Sequence, residues 1–234
     1  MTSKQIQALL LDLSKKGFVK SRRKGPTGIG HTLEQVLHLR ENNISIPDIG
    51  GTVELKATRK DSNTLITLFT FNKSAWIIRQ REVIEKYGYY DKKLKRKALY
   101  NIVKVNETNT QGLTIKVNKK EQTINLYHKR TNVLLATWSI YSIVGKFLNK
   151  LARLLFVTAE SDLLNGKEHF HYNNAVILTE PTAKRFLEAF DKGIVCIDLR
   201  MHLKKNNAVR NHGTGFRVVE NMLPSLYGKS KKLI

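Results

Sequence analysis

SIPDIGGTVELKATRK, residues 45–60, is the stretch on which the fold turns. Pro47 pushes Ile46 toward an extended backbone, and Gly50 and Gly51 let the chain turn sharply and return. The returning run, TVELKATR, reads as a strand. Side chains alternate along a strand, so Val53, Leu55 and Ala57 share one face while Glu54 and Lys56 share the other. The apolar face can bury against a core. The opposite face then carries an acid and a base side by side, and the glycine turn brings Asp48 back toward Glu54.

Two carboxylates that approach each other repel unless something positive lies between them. A hard divalent cation supplies that charge, because magnesium takes oxygen ligands that include one or two carboxylates. Such an ion polarises a phosphodiester and lowers the pKa of bound water. Lys56 is placed to orient the attacking water or to stabilise charge growing on phosphorus. The pattern therefore points to phosphodiester hydrolysis, with Asp48, Glu54 and Lys56 catalytic and Asp48 and Glu54 holding Mg2+. An acid-x-Lys triplet alone is common, and Asp91-Lys92-Lys93 repeats it inside a polar segment. The competing reading makes Glu54 and Lys56 a solvated pair on an edge strand.

The rest of the chain favours a polyanionic substrate. Lys and Arg number 41 against 19 Asp and Glu, a formal charge of +22 that attracts nucleic acid first of all. An anionic membrane would instead call for a basic amphipathic helix or a local polybasic block, whereas these cations are spread along the whole length. No apolar stretch approaches the roughly 18 residues of a membrane span. The opening MTSKQIQALLLDLSKKGF is too short and polar in its apolar run for a signal peptide. Cys196 is the only cysteine, which excludes a disulfide framework and a cysteine-based zinc site and fits a reducing, cytoplasmic compartment.

Helical spacing marks residues 4–16, a second helix from near His31 in HTLEQVLHLREN, then SAWIIRQREVIEKYG, SIVGKFLNKL and PTAKRFLEAFDKG. Strand-like runs are TVELKATR, TLITLFTF, LYNIVKV, GLTIKV, QTINLYH, NVLLATW, ARLLFVTAE, EHFHYNNAVIL and IVCIDLR. Helices and strands mix without a regular βαβ rhythm, so the expected class is α/β with a mixed sheet flanked by helices. With no repeat and no long linker, the expectation is one domain over 1–234. It would have a catalytic lobe centred on 30–85 and a DNA-recognition lobe that includes 205–220.

Two further segments bear on chemistry. Glu34, in GIGHTLEQVL, sits on the helix before the Asp48 loop, where a carboxylate could order metal-bound waters; otherwise it is a solvated helix glutamate favoured by the N-terminal dipole. VRNHGTGFRV gathers Arg210, Asn211, His212 and Arg217 around Gly213 and Gly215. Glycines allow close backbone approach to DNA, and Arg with guanine or Asn with adenine are strong major-groove pairings. Residue types alone equally allow a basic turn that touches only phosphates.

GIGHTLEQVL, PDIGGTVELKATRK and RNHGTGFR, in that order, resemble the MvaI/BcnI group of type II restriction endonucleases, relatives of the repair nickase MutH within the PD-(D/E)xK nuclease superfamily. The likeness runs from about residue 27 to the end, with WS at 138–139, KF at 146–147, VTAE and GKEHFHYNNA in the expected order. It implies a restriction-endonuclease-like fold with two lobes around a DNA cleft. It places Asp48, Glu54 and Lys56 on the catalytic triad and Glu34 on the family's helix glutamate. It adds the Leu55 carbonyl to Asp48 and Glu54 as a ligand of Mg2+. It turns Arg210, Asn211, His212 and Arg217 toward base recognition in short G·C-bounded sites of the CCNGG kind. It further implies a monomer that nicks each strand of double-stranded DNA in turn, in a bacterial or archaeal cell that also encodes a cognate DNA methyltransferase.

Two alternatives remain on the residues: a MutH-like strand-specific nickase that depends on a repair partner, and a catalytically silent DNA-binding module. KSRRK at 20–24 and DKKLKRK at 91–97 read as phosphate grips, with Tyr89 and Tyr90 beside the second. His169 and His171 share a strand face but lack a third zinc ligand at suitable spacing. Neither a GxxxxGK[ST] loop nor a GxSxG elbow occurs.

Overall fold

The computed structural model describes residues 3–39, 46–60, 62–71 and 75–234. Residues 40–45, into which the second helical reading and the opening stretch both run, lie outside it, as does Ser74.

The chain opens with helix α1 (Ser3–Lys15), strand β1 (Val19–Lys20), helix α2 (Gly28–Val36) and strand β2 (Glu54–Arg59). There follow β3 (Leu65–Phe71), α3 (Gln80–Tyr87), β4 (Tyr89–Asp91) and β5 (Arg96–Val103). Then come β6 (Leu113–Asn118), β7 (Thr123–His128), β8 (Val133–Ser139) and α4 (Ile140–Lys150). A long hairpin of β9 (Arg153–Leu164) and β10 (Lys167–Pro181) precedes α5 (Ala183–Asp191). The chain closes with β11 (Val195–Leu203), β12 (Val209–Asn211), β13 (Thr214–Val219), a 3-10 helix (Glu220–Leu226) and β14 (Tyr227–Lys232).

These elements form two compact units that interleave along the sequence. The first comprises residues 1–64, 148–182 and 220–234, and the second residues 65–147 and 183–219. Residues 65–85, grouped with the catalytic strand in the sequence reading, therefore belong to the second unit.

The first unit is built on a mixed sheet in the order β1-β10-β9-β2, with β14 also paired to β10. β2 lies at its edge and runs parallel to β9, with Glu54 opposite Leu154 and Lys56 opposite Phe156. The remaining pairings in this sheet are antiparallel. Ile6, Leu10 and Leu13 of α1 and Ile29 and Leu33 of α2 pack with Leu55, Ala57, Leu155 and Val157 in one apolar cluster. Burying one such leucine contributes about 2 kcal/mol, so the apolar face of β2 is firmly fixed in register. Its other face is thereby fixed too.

The second unit carries a sheet ordered β3-β13-β11-β5-β4, with β12 on β11, and a separate three-stranded sheet β6-β7-β8. Phe69, Phe186, Phe190 and Phe216 stack in its interior.

Several boundaries differ from the sequence reading. α2 begins at Gly28, so Glu34 is in its second half and away from the N-terminal dipole. α3 begins only at Gln80, because the preceding residues make tertiary backbone contacts instead: Trp76 bridges Ala136, and the Ile77 N–H donates to the Leu135 carbonyl at 2.9 Å. Pro181 ends β10 rather than opening α5. Gly88 follows α3 in an extended conformation, not a left-handed one; a Cβ there would fall 2.4 Å from the Ile84 carbonyl oxygen and 2.6 Å from that of Ala98.

Candidate active site

The turn before β2 delivers the first carboxylate. Ile49 and Val53 form an antiparallel bridge, and the Thr52 N–H donates to the Ile49 carbonyl at 3.1 Å. Gly50 and Gly51, at φ 58° and 68°, occupy the two central positions with the left-handed conformation that a tight primed turn requires. Asp48 precedes this turn, and its Oδ2 accepts a hydrogen bond from the Leu55 N–H at 2.9 Å. The carboxylate is thus fastened to the peptide that follows Glu54.

That hydrogen bond also orients Leu55. A strand residue sends its N–H and C=O toward the same side, and among the described residues β2 has a strand neighbour on one side only. Since the Leu55 N–H meets Asp48 on the open edge, the Leu55 carbonyl faces the same edge.

Glu54 projects from the other face of β2 and is 1% exposed. Its Oε1 accepts from Lys56 Nζ at 2.6 Å, while its Oε2 is buried and has no hydrogen-bond partner among the described residues. A solvated surface pair is therefore excluded. Lys150, at the end of α4, brings a second ammonium to within 3.5 Å of the same Oε1. Farther along this face, Thr58 donates to Glu220 Oε2 at 2.5 Å. Tyr227 is buried, and its hydroxyl donates to the Leu151 carbonyl at 3.0 Å. Burial first, and the neighbouring Glu54 charge second, push its phenol pKa up. Glu34 is partly buried in α2, within the same unit.

The RNHGTGFR cluster folds in the second unit as an edge strand, a turn and an inner strand. Arg210 and His212 are exposed. Asn211 spends both ends of its amide on structure: Oδ1 accepts from the Gly213 N–H at 2.8 Å and Nδ2 donates to Gln80 Oε1 at 3.2 Å. Arg217 points its guanidinium at Asp198, at 3.2 Å, and at the Leu65 carbonyl. The sequence reading passed over Arg200, which spans the turn by donating to the carbonyls of His212 (3.2 Å) and Gly213 (3.3 Å) and to the Thr70 hydroxyl (2.9 Å). Desolvation, and then the guanidinium charges of Arg210, Arg200 and Arg96, hold the His212 pKa below its ordinary value. His202, whose ring Nδ1 lies 2.9 Å from the Tyr100 hydroxyl, is lowered by burial first and by Arg96 next.

The sequence matches the MvaI/BcnI restriction endonuclease family over residues 8–227. The chain belongs to that family. It is thus a type II site-specific deoxyribonuclease. The fold is similar to that in a solved structure of a restriction endonuclease MvaI–cognate DNA substrate complex, with a TM-score of 0.82, 26% identity and full coverage of both chains. It also resembles restriction endonuclease MvaI in the absence of DNA, with a TM-score of 0.58, 23% identity and coverage of 100% and 99% of the two chains, a likeness of fold alone. Among proteins of curated function, none matches the sequence.

Enzymes of this family use divalent metal ions. The residues of this endonuclease fit one. Oε2 of Glu54 is a buried acceptor in want of a partner, and the Asp48 carboxylate and Leu55 carbonyl are hard oxygen donors on adjoining positions. Among the described residues no group of three or more His, Cys, Asp or Glu side chains gathers at one point. Two carboxylates and a main-chain oxygen suit an ion that keeps several of its own waters.

Proposed function

We propose that the enzyme cleaves duplex DNA in a Mg2+-dependent reaction at a short pseudo-palindromic site of the CCNGG kind, acting as a monomer that nicks the two strands in sequence. The reading is carried by one observation: a buried glutamate oxygen without a partner among the described residues, beside a strand edge to which a second carboxylate is fastened. Asp48, Glu54 and the Leu55 carbonyl would hold Mg2+. When bound, the ion supplies Lewis-acid charge to the phosphodiester and lowers the pKa of water at the site.

The protein groups contribute position and charge. Lys56, partly exposed and bonded to Glu54, presents its remaining ammonium protons toward solvent and the incoming phosphate. There it stabilises negative charge as water adds to phosphorus and the bond to one sugar oxygen breaks. Glu34 orders water near the attacking position. Arg210 and His212 read base edges. Asn211 shapes the turn that presents them, and Arg217 acts from within the strand, where its fork is already engaged.

Incubation of purified enzyme with a plasmid of known sequence, in Mg2+ and in EDTA, followed by mapping of the ends, tests the whole reading. Discrete double-strand fragments with a common sequence at their ends are expected. Persistent open circles would replace it with a nickase, and tight binding without cleavage in Mg2+ or Mn2+ with a silent binding module.

A further inference from the structure

Glu54 has more positive charge around it than its own neutralisation requires. Lys56 lies on the same strand face and already donates to Oε1 at 2.6 Å. Lys150 comes from a distant part of the sequence and sits 3.5 Å from the same oxygen. Two ammonium groups therefore crowd one oxygen of a side chain that is 1% exposed, while the second oxygen has no hydrogen-bond partner among the described residues.

The placement of Lys150 is built into the backbone. α4 ends at Lys150, and after two residues the chain enters β9, whose Leu154 is in register with Glu54. The Tyr227 hydroxyl secures the carbonyl of the intervening Leu151 from a buried position. Lys150 thus emerges at the Glu54 end of β2. Its side chain is 20% exposed, so the ammonium has a path to solvent, and its long stem can move without disturbing the helix.

We propose that Lys150 is an internal competitor for the metal site, a positioning residue whose ammonium steadies Glu54 in the ion-free enzyme and withdraws as a divalent ion binds. The inference rests on the assignment of Asp48 and Glu54 as ion ligands. Like charges repel across a few ångströms of poorly hydrated interior, so an ion at Glu54 and an ammonium on Oε1 oppose each other. Lys150 consequently weakens ion binding and sets the concentration at which the enzyme becomes active.

The test is direct ion binding without DNA, with Mn2+ as the probe and electron paramagnetic resonance as the readout. Lys150→Met is expected to bind Mn2+ about 3- to 10-fold more tightly than the parent enzyme, with a somewhat lower melting temperature in EDTA but a folded state at the assay temperature, and Glu54→Gln to lose binding. Equal or weaker Mn2+ binding by folded Lys150→Met overturns the proposal. A measurement on the unmodified side chain covers the case of a variant that does not fold. The 15N-lysine ammonium resonance of Lys150, assigned from Lys150→Arg, must shift on saturation with Mg2+, and a resonance that stays in place overturns the proposal as well. An enzyme that binds no Mn2+ at all defeats both this inference and the metal-site reading, whereas normal binding and cleavage with an indifferent Lys150→Met defeats this inference alone.

Discussion

The Leu55 N–H donates to Asp48 Oδ2 at 2.9 Å, so the first carboxylate of the site is locked to the strand that carries the second. One side chain thereby has two duties, shaping the turn and presenting negative charge, and substitutions can separate them.

Asp48→Asn keeps an oxygen for the Leu55 N–H but loses the charge, whereas Asp48→Ala loses both. Both variants should lose cleavage by more than about a hundredfold, since even outer-shell partners of a metal are worth 10- to 100-fold. Only Asp48→Ala should also lose about 1 kcal/mol of stability in urea unfolding, the value of one hydrogen bond. Cleavage at the parental rate by Asp48→Asn would remove the carboxylate from the mechanism.

Gly50 and Gly88 should respond to alanine for different reasons. At Gly50, φ is 58° and none of the described residues lies within 4 Å of an added Cβ, so the cost is backbone strain, about 1–2 kcal/mol. At Gly88 the backbone suits any residue, but the added carbon meets two carbonyl oxygens at 2.4 and 2.6 Å. Relieving that overlap requires backbone movement and should cost about 3 kcal/mol. Urea midpoints for the two variants should rank in that order.

Arg210 and Asn211 are neighbours in sequence with opposite expected phenotypes. Arg210→Ala removes an exposed cation and should weaken cognate binding by about 1–3 kcal/mol while leaving stability unchanged. Asn211→Ala frees the Gly213 N–H and Gln80, so it should lower stability together with cleavage. Gel-shift titrations beside thermal melts decide between them. A stable Asn211→Ala that binds normally would contradict the structural role.

The lowered pKa values of His202 and His212 fix the direction of a pH effect. The unfolded chain takes up these protons near pH 6.5, before the folded enzyme does. Their contribution to stability is therefore complete above about pH 6.5 and is lost as pH falls through the lower folded values. Urea midpoints should decline from pH 6.5 to 5, and His212→Asn should flatten part of that decline. A profile unaltered by the substitution would show that His212 does not titrate differently on folding.

The turn and strand at residues 48–59 were legible because their signals are local. Two adjacent glycines, a strict alternation over Val53 to Ala57 and a carboxylate at the turn all lie within ten residues. Lys150 was not legible, because it reaches Glu54 only through the parallel pairing of β2 with β9, about a hundred residues apart. β13 was hidden for another reason: Gly213 and Gly215 read as loop punctuation, yet Gly215 is an inner-strand position opposite Asp198, and an added Cβ would come 3.3 Å from the Asp198 side chain. Arg217 looked free in a basic turn and is engaged with Asp198 and Leu65, partners that only the sheet brings near. Residues 75–79 looked helical by periodicity, and strand-like bonds to β8 prevailed.

Among the described residues β2 pairs on one side only, which also bears on how the molecule tolerates company. An exposed strand rim invites docking by a foreign β-segment. Here Asp48 occupies the rung at Leu55 with a negative side chain, so an intruding chain would have to evict it. The carboxylate proposed to hold the ion would thereby also guard the rim against β-sheet aggregation, so on that proposal a substitution at Asp48 would cost solubility together with turnover.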